Sequence, residues 1–390
     1  MINKIITIGL ILMMNVAVMA QKPEKIYGHA KVSKSLEWYQ TQSKLWKAEL
    51  DKNPQNADAW FNYFRVTRIL LRKNENDKRT NEEKNAELKK LVAEMEQQIP
   101  GSYEFYLSSW ILEGDYSKKL YPEMMEKLGD GHTDHYENLL TYYEVSGNIA
   151  MRDKYLKKYY QDGQVSTGML YYNYNVLVGL EENAILLTVG DNDTYPIWVL
   201  QNLGIRPDVT VLNTSLLMLD DYRNSMMKKL GVAPLKMQKF FDKSVTQKDI
   251  TEYEQTLVRN LASNSKKYPV YVALTASGCD NYLDTVSSQL YLTGLAYVYS
   301  KETIDNIALL KHHFEHDFAL DYIDKAFYYD RSEDLVKLIN TNYVIPMLKL
   351  YDHYKSAGDA NGMETMKRKL VTLCKGTEQE KAVYQHLGLK

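Results

Sequence analysis

Three short apolar runs alternating with helix-like stretches, all between Asn183 and Ala276, constrain the fold of this chain more than any other feature. "NAILLTV" (Asn183–Val189), "DVTVLN" (Asp208–Asn213) and "YPVYVALTA" (Tyr268–Ala276) read as buried strands. After the first, "DTYPIWVLQNLG" reads as a helix that starts near Asp193 and stops at Gly204. Its Pro196 falls in the first turn, where a missing N–H costs little. "SLLMLDDYRNSMMKKLG" predicts a helix from Ser215 to Gly231, and "DITEYEQTLVRNLAS" another over Asp249–Ser263. Strands alternating with helices predict βαβ units. The expected fold class is α/β plus all-α, with a small, parallel, Rossmann-like sheet of three strands, or four if "GLAYVYS" (Gly294–Ser300) joins.

The chain before Glu181 has a different rhythm. From Ser35 to about Leu180 apolar residues recur with helical period, broken by short polar turns. Four segments look alike: "NPQNADAWFNYFRV" from Asn53, "IPGSYEFYLSSWIL" from Ile99, "GHTDHYENLLTYYEVSG" from Gly131 and "GMLYYNYNVLVGL" from Gly168. Each opens on Pro or Gly near a small polar cap and sets aromatics three and four residues apart, on one helix face. The later intervals approach the repeat of about 34 residues of tetratricopeptide units. The first interval is longer, and its excess falls in the charged "KNENDKRTNEEKNAELKK" (Lys73–Lys90), a solvated loop or extended helix end. Degenerate tetratricopeptide-like hairpins are expected, with an irregular helical bundle as the alternative. From Glu302 the chain is helical again, and its final antiparallel pair turns at Gly358-Asp359. The expected organisation is thus a signal peptide over 1–20, a helical array over 21–180, an α/β domain over 181–300 and a helical region over 301–390.

The signal peptide rests on Lys4, the apolar Ile5–Ala20, and Val18-Met19-Ala20 before Gln21. That run is short for a bilayer span and no second basic flank follows it, so removal is expected, and no cysteine follows it to take a lipid; a periplasmic or secreted chain without a span is expected. The remainder, about 370 residues, is enough for two or three domains. With 48 basic and 50 acidic residues the net charge is −2, which offers no field for nucleic acid or anionic membrane. Cys279 and Cys374 are too few to form a framework, and they are expected to stay unpaired. Tyrosine outnumbers phenylalanine 32 to 8, which fits helices that bury ring bodies and keep hydroxyls near polar partners. A groove contacting glycan or peptide would use the same bias.

The stretch "EENAILLTVGDNDTYPIWVLQNLGIRPDVTVLNTSLL" (Glu181–Leu217) resembles the soluble C-terminal region of a Bacteroidota family of multispanning membrane proteins. Their membrane half is similar to protein O-mannosyltransferases. The resemblance continues through "YPVYVALTA" and "LYLTGLAYVYS", and the helical tail is a looser match. It implies a fold and an export-associated context. The multispanning half that would hold a glycosyltransferase activity has no counterpart here, so the resemblance transfers no enzyme activity.

The candidate ligand site is Gly190, Asp191, Asn192, Asp193, Thr194 and Asn213, at the carboxyl ends of the first two strands, where open α/β sheets bind ligands. Unpaired N–H groups at the following helix favour an anion, and Asp191 with Asp193 could coordinate Mg²⁺ or Ca²⁺. Ordinary turn chemistry accounts for the same residues: Asp193 or Thr194 as helix cap, Asp191-Asn192 as a turn. Three catalytic patterns match only in part. In a haloacid-dehalogenase-like pattern Asp191 would be nucleophile and Asp193 general acid, but Tyr195 occupies the threonine slot. A glycosyltransferase would need a nucleotide-binding half upstream, where this chain has helices. A thiamine-diphosphate pattern matches Gly190-Asp191 and Asn213 at too short a spacing. "HHFEH" (His312–His316) has the His-x-x-Glu-His form of inverted zinc peptidases, with Glu378 or Glu380 as downstream acidic candidates, yet the polar face of an amphipathic helix is the better explanation. His132 and His135 read as surface cap residues near a helix start at Thr133, and Arg206 with Asp208 as a pair fixing a turn.

These readings converge on an exported binding or scaffold protein of the bacterial envelope, taking a protein or peptide partner through its helical repeats in a glycan- or protein-export-related assembly. The competing reading is a divalent-metal-dependent phosphoryl or glycosyl transfer enzyme using Asp191 and Asp193.

Overall fold

A computed structural model of the chain describes residues 22–235, 246–264, 267–276, 289–324 and 329–389. The signal-like segment and Cys279 lie outside them. The chain forms two compact units, the first ending at Glu144 and the second beginning at Val145.

The first unit is helical. Helices α1 (Leu36–Lys52) and α2 (Ala57–Lys73) form a hairpin, each started by a side-chain cap: Ser35 accepts from the Trp38 N–H, and Asn56 from that of Ala59. The charged stretch after Lys73 is a short loop and then α3 (Asn81–Gln98). Thr80 and Glu83 cap that helix reciprocally, so the acidic run is a helix start and not an open loop. Ser102 starts α4 (Tyr103–Glu113), followed by α5 (Leu120–Leu128) and α6 (Tyr136–Val145). Tyr39, Trp46, Trp60, Phe64, Leu88 and Met95 pack into one core. The extended segment before α1 is drawn onto it by hydrogen bonds from the Ile26 N–H to Asn62 Oδ1 (2.7 Å) and from Trp46 Nε1 to the Glu24 carbonyl (2.9 Å).

The second unit begins with α7 (Ile149–Gln161) and α8 (Thr167–Val178), both of which pack on helix α9 (Tyr195–Asn202) that follows the first strand. The sheet has five strands in the order β2-β1-β3-β5-β4: β1 (Ile185–Thr188), β2 (Thr210–Asn213), β3 (Val270–Ala273), β4 (Leu290–Leu292) and β5 (Ala296–Tyr299). Three strands are parallel, as their buried runs predict: Ile185 pairs with Thr210 on one side and Val270 on the other.

The expectation of a wholly parallel sheet is corrected at its far edge. β5 runs antiparallel to β3, and β4 antiparallel to β5. The reason lies in the connection: three residues, Thr293 to Leu295, join β4 to β5, which suffices for a hairpin, whereas a parallel return needs a crossover of a dozen or more. Burial follows the same division. β1 and β3 are buried throughout, as parallel strands between helical layers should be, while β5 alternates buried and half-buried positions.

Helices α10 (Asp220–Leu230) and α11 (Gln247–Asn264) lie between β2 and β3 in sequence. After β5 come α12 (Asn306–His312), a π turn at His313–Asp317, α13 (Asp321–Asp324) and α14 (Glu333–Asn340). The expected closing pair is present as α15 (Val344–Ala357) and α16 (Ala360–Cys374), with a further short helix α17 (Glu380–Leu387). Gly358 takes the left-handed conformation that stops α15 (φ 72°), and Asp359 caps α16. The helices meet closely because Gly362 lacks a Cβ, which would lie 2.6 Å from the buried ring of Tyr354. Among the described residues no helix is long and apolar enough to cross a membrane.

Arg206 ties the start of β2 to the end of α8. Its guanidinium donates to the carbonyls of Leu177, Leu180 and Glu181 at 2.7–3.0 Å and pairs with Asp208 at 2.9 Å. The helix end and the strand start are thereby held in one register. Gly362→Ala should destabilise the second unit by about 1–3 kcal/mol, the cost of overpacking where the neighbour cannot give way. Urea unfolding of the variant against the unmodified chain measures it.

Candidate functional site

At the carboxyl end of β1 the chain turns sharply through Val189–Thr194 into α9. Gly190 takes φ 77°, a conformation that favours glycine, and this bends the chain out of the strand. The turn brings Asp193 back under the sheet. Only 2% of Asp193 is exposed. Its Oδ2 accepts from the Val189 N–H at 2.8 Å and from the Thr275 hydroxyl at 2.6 Å, while its Oδ1 has no partner. Burial pushes this carboxyl up to about 7. The two hydrogen bonds at Oδ2 oppose that shift, and the negative charge of Asp191 adds to it. A proton on Oδ1 leaves both bonds at Oδ2 intact.

The neighbouring polar groups form one network. Thr188 and Thr194 share a hydroxyl hydrogen bond of 2.8 Å. Asn213, ending β2, donates from Nδ2 to Thr194 Oγ1 (2.9 Å) and to the Gly190 carbonyl (3.1 Å), and its Oδ1 accepts from the Leu216 N–H (3.1 Å). From α8, Asn173 donates to the Asn192 carbonyl at 2.8 Å. Gly190, Asn192, Asp193, Thr194 and Asn213 therefore do come together. Asp191 differs: its side chain is exposed, and its carbonyl accepts from the Tyr195 N–H at 3.1 Å to close the turn.

Because β1 lies between β2 and β3, the point where the connections diverge, and where open α/β sheets take ligands, is the carboxyl end between β1 and β3. Here the Asp193–Thr275 bond crosses that gap. The expected cap chemistry also takes another form. Thr194 stands at the N-cap of α9 but makes no capping bond, because its hydroxyl is used by Thr188 and Asn213. The two carboxylates, read from sequence as a joint site for Mg²⁺ or Ca²⁺, occupy unlike environments, one exposed and one sealed. Among the described residues no three His, Cys, Asp or Glu side chains gather as a metal site. As general acid in a phosphotransfer pattern, Asp193 would need a path to substrate that its burial denies.

Sequence reasoning missed Thr188, Thr275 and Asn173. The only signal was polarity in an apolar setting: two threonines at strand ends and an asparagine within "LYYNYNVL". Other expectations sort plainly. His135 is corrected: it is buried, not at the surface, and its Nδ1 lies 3.0 Å from the Tyr103 hydroxyl, with His132 stacked on the same ring at 4.0 Å. In "HHFEH" the Glu315 carboxylate accepts from the Tyr354 hydroxyl at 2.7 Å through Oε1 and its Oε2 lies 3.9 Å from His316 Nε2, while downstream Glu380 accepts from the Gly376 N–H at 3.0 Å; among the described residues no three-ligand metal group of the kind a zinc peptidase requires is formed. Cys374 is buried, which pushes its thiol up to about 11.

Residues 170–238 match the family model TMEM260-associated domain 2. The matched stretch takes in most of α8, then β1, the Asp193 turn, α9, β2 and α10, so it is centred on the polar network. No curated protein matches the chain.

Asp193 binds its proton more tightly folded than unfolded, where a carboxyl titrates near 3.9. Its contribution to stability is therefore full below about pH 4 and is lost as pH rises towards about 7. Urea midpoints from about pH 4 to 8 should show this fall in the unmodified chain and lose it in Asp193→Asn. Asp193→Ala should cost more than the asparagine variant, about 1–3 kcal/mol for each donor left without an acceptor.

Proposed function

We propose that the chain is an exported binding or scaffold protein of the bacterial envelope, which receives a peptide or protein segment on the helices of its first unit. The observation that carries this reading is a groove between α3 and α4, a cavity of about 770 Å³. Val92, Ala93, Phe105 and Leu112 supply its apolar surface, and Lys89 and Glu96 stand on its α3 side. A groove whose lining mixes apolar side chains with charges of both signs suits an amphipathic segment, whose apolar side chains enter while its polar face meets the charged lining. The tetratricopeptide-like spacing of the sequence supports the same use, since such arrays present grooves to partner chains.

The export-type N-terminal segment supports an envelope location. The resemblance of Glu181–Leu217 to the soluble part of multispanning proteins similar to O-mannosyltransferases, and the TMEM260-associated match over residues 170–238, support a glycan- or protein-export-related assembly. The burial of Asp193 favours a structural over a catalytic part for the second unit.

An array of peptides from envelope proteins, probed with the purified chain, tests the reading. A defined set of amphipathic peptides should be retained, and Phe105→Ala and Lys89→Glu should each weaken retention about tenfold, as loss of a groove anchor does. Retention of no peptide, or equal retention by both variants, would contradict it.

A further inference from the structure

His312 and His316 take no part in the polar network and do not line the groove of the first unit. His312 ends α12, and His316 lies in the π turn His313–Asp317. A π turn takes more residues per turn than an α-helix, so side chains four and five positions apart line up on one face. The two rings are accordingly neighbours, with centroids 5.1 Å apart and planes at 52°. Both side chains are open to solvent, 61% and 63% exposed.

The backbone beneath them is fixed by their neighbours. His313 turns inward, its Nδ1 2.7 Å from Asp317 Oδ2 and its ring stacked on Phe318. Phe314 is buried, and Glu315 is held by the Tyr354 hydroxyl. The exposed pair therefore rises from a turn that is anchored on its inner side.

We propose that His312 and His316 chelate a divalent transition metal of the zinc, nickel and copper class. Imidazole is the donor these metals favour over magnesium or calcium. Bonds of about 2.0–2.1 Å to each ring, meeting near a tetrahedral angle, set two coordinating imidazole centres roughly 5 Å apart, the separation found here. Asp317 lies close by, its Oδ2 3.6 Å from His312 Nε2. It already accepts from His313, so it orients the turn and adds negative charge next to the metal. Two imidazoles leave the remaining positions to water, which makes this an exchangeable site. Glu315 accepts from Tyr354 through Oε1, and its Oε2 lies 3.9 Å from His316 Nε2, so it adds a second negative charge beside the site.

The test is calorimetric titration of the full, untagged chain with ZnCl₂, NiCl₂ or CuCl₂ near neutral pH. One metal should bind per chain, and His312→Ala or His316→Ala should each weaken binding by about tenfold or more. His386→Ala, which removes an exposed histidine paired with Asp352, should leave binding unchanged. All three variants alter exposed side chains, and circular dichroism verifies that each is folded. No binding at millimolar metal, or binding that survives both substitutions in the pair, would overturn the proposal.

Discussion

The second unit depends on one carboxyl group held inside it. Asp193 joins the end of β1, through the Val189 N–H, to the residue two past β3, through the Thr275 hydroxyl. A carboxyl sealed from water resists ionisation, and burial makes this one do so even though its Oδ2 accepts two hydrogen bonds that oppose the shift. Thr188, Thr194 and Asn213 extend the arrangement across β1 and β2, so the carboxyl ends of all three parallel strands are cross-linked by side chains. Asn173 adds α8 to the same knot.

That arrangement changes what the fold offers. A parallel sheet with helices around it presents a crevice where its connections diverge, and elsewhere such crevices hold nucleotides and metals. In this chain the crevice is crossed by its own hydrogen bonds. Among the described residues, open surfaces in other places include the groove along α3 and α4 in the first unit and the histidine pair on the π turn in the second.

How much of this the sequence disclosed depends on the range of the interaction. Strands β1, β2 and β3 are legible because burial on both faces leaves unbroken apolar runs. The closing turn at Gly358-Asp359 is legible because its chemistry is local. The direction of β5 is less legible, although the alternation in Ala296-Tyr297-Val298-Tyr299 is the mark of an antiparallel strand with one face towards solvent. The cap at Thr80 and Glu83 was present in the letters but masked by surrounding charge. The Gly-Asp-Asn-Asp stretch shows where the knot lies and not which carboxylate turns inward. That choice is made by Thr275, 82 residues away, and by the left-handed turn at Gly190. His135 is a similar case. Its ring fits because Gly129 has no Cβ, which would lie 2.7 Å from that ring, and because Tyr103 offers its hydroxyl. No feature next to His135 in sequence announces either partner.

The most direct measurement of the central interaction is the titration of the Asp193 side-chain carboxyl itself, followed by its ¹³C resonance in the folded chain. A buried carboxyl predicts a midpoint raised to about 7, with the proton kept through the acid range. A midpoint near 4, the value of a solvated aspartate, would show that the group is open to water and that the strand ends are held by something else.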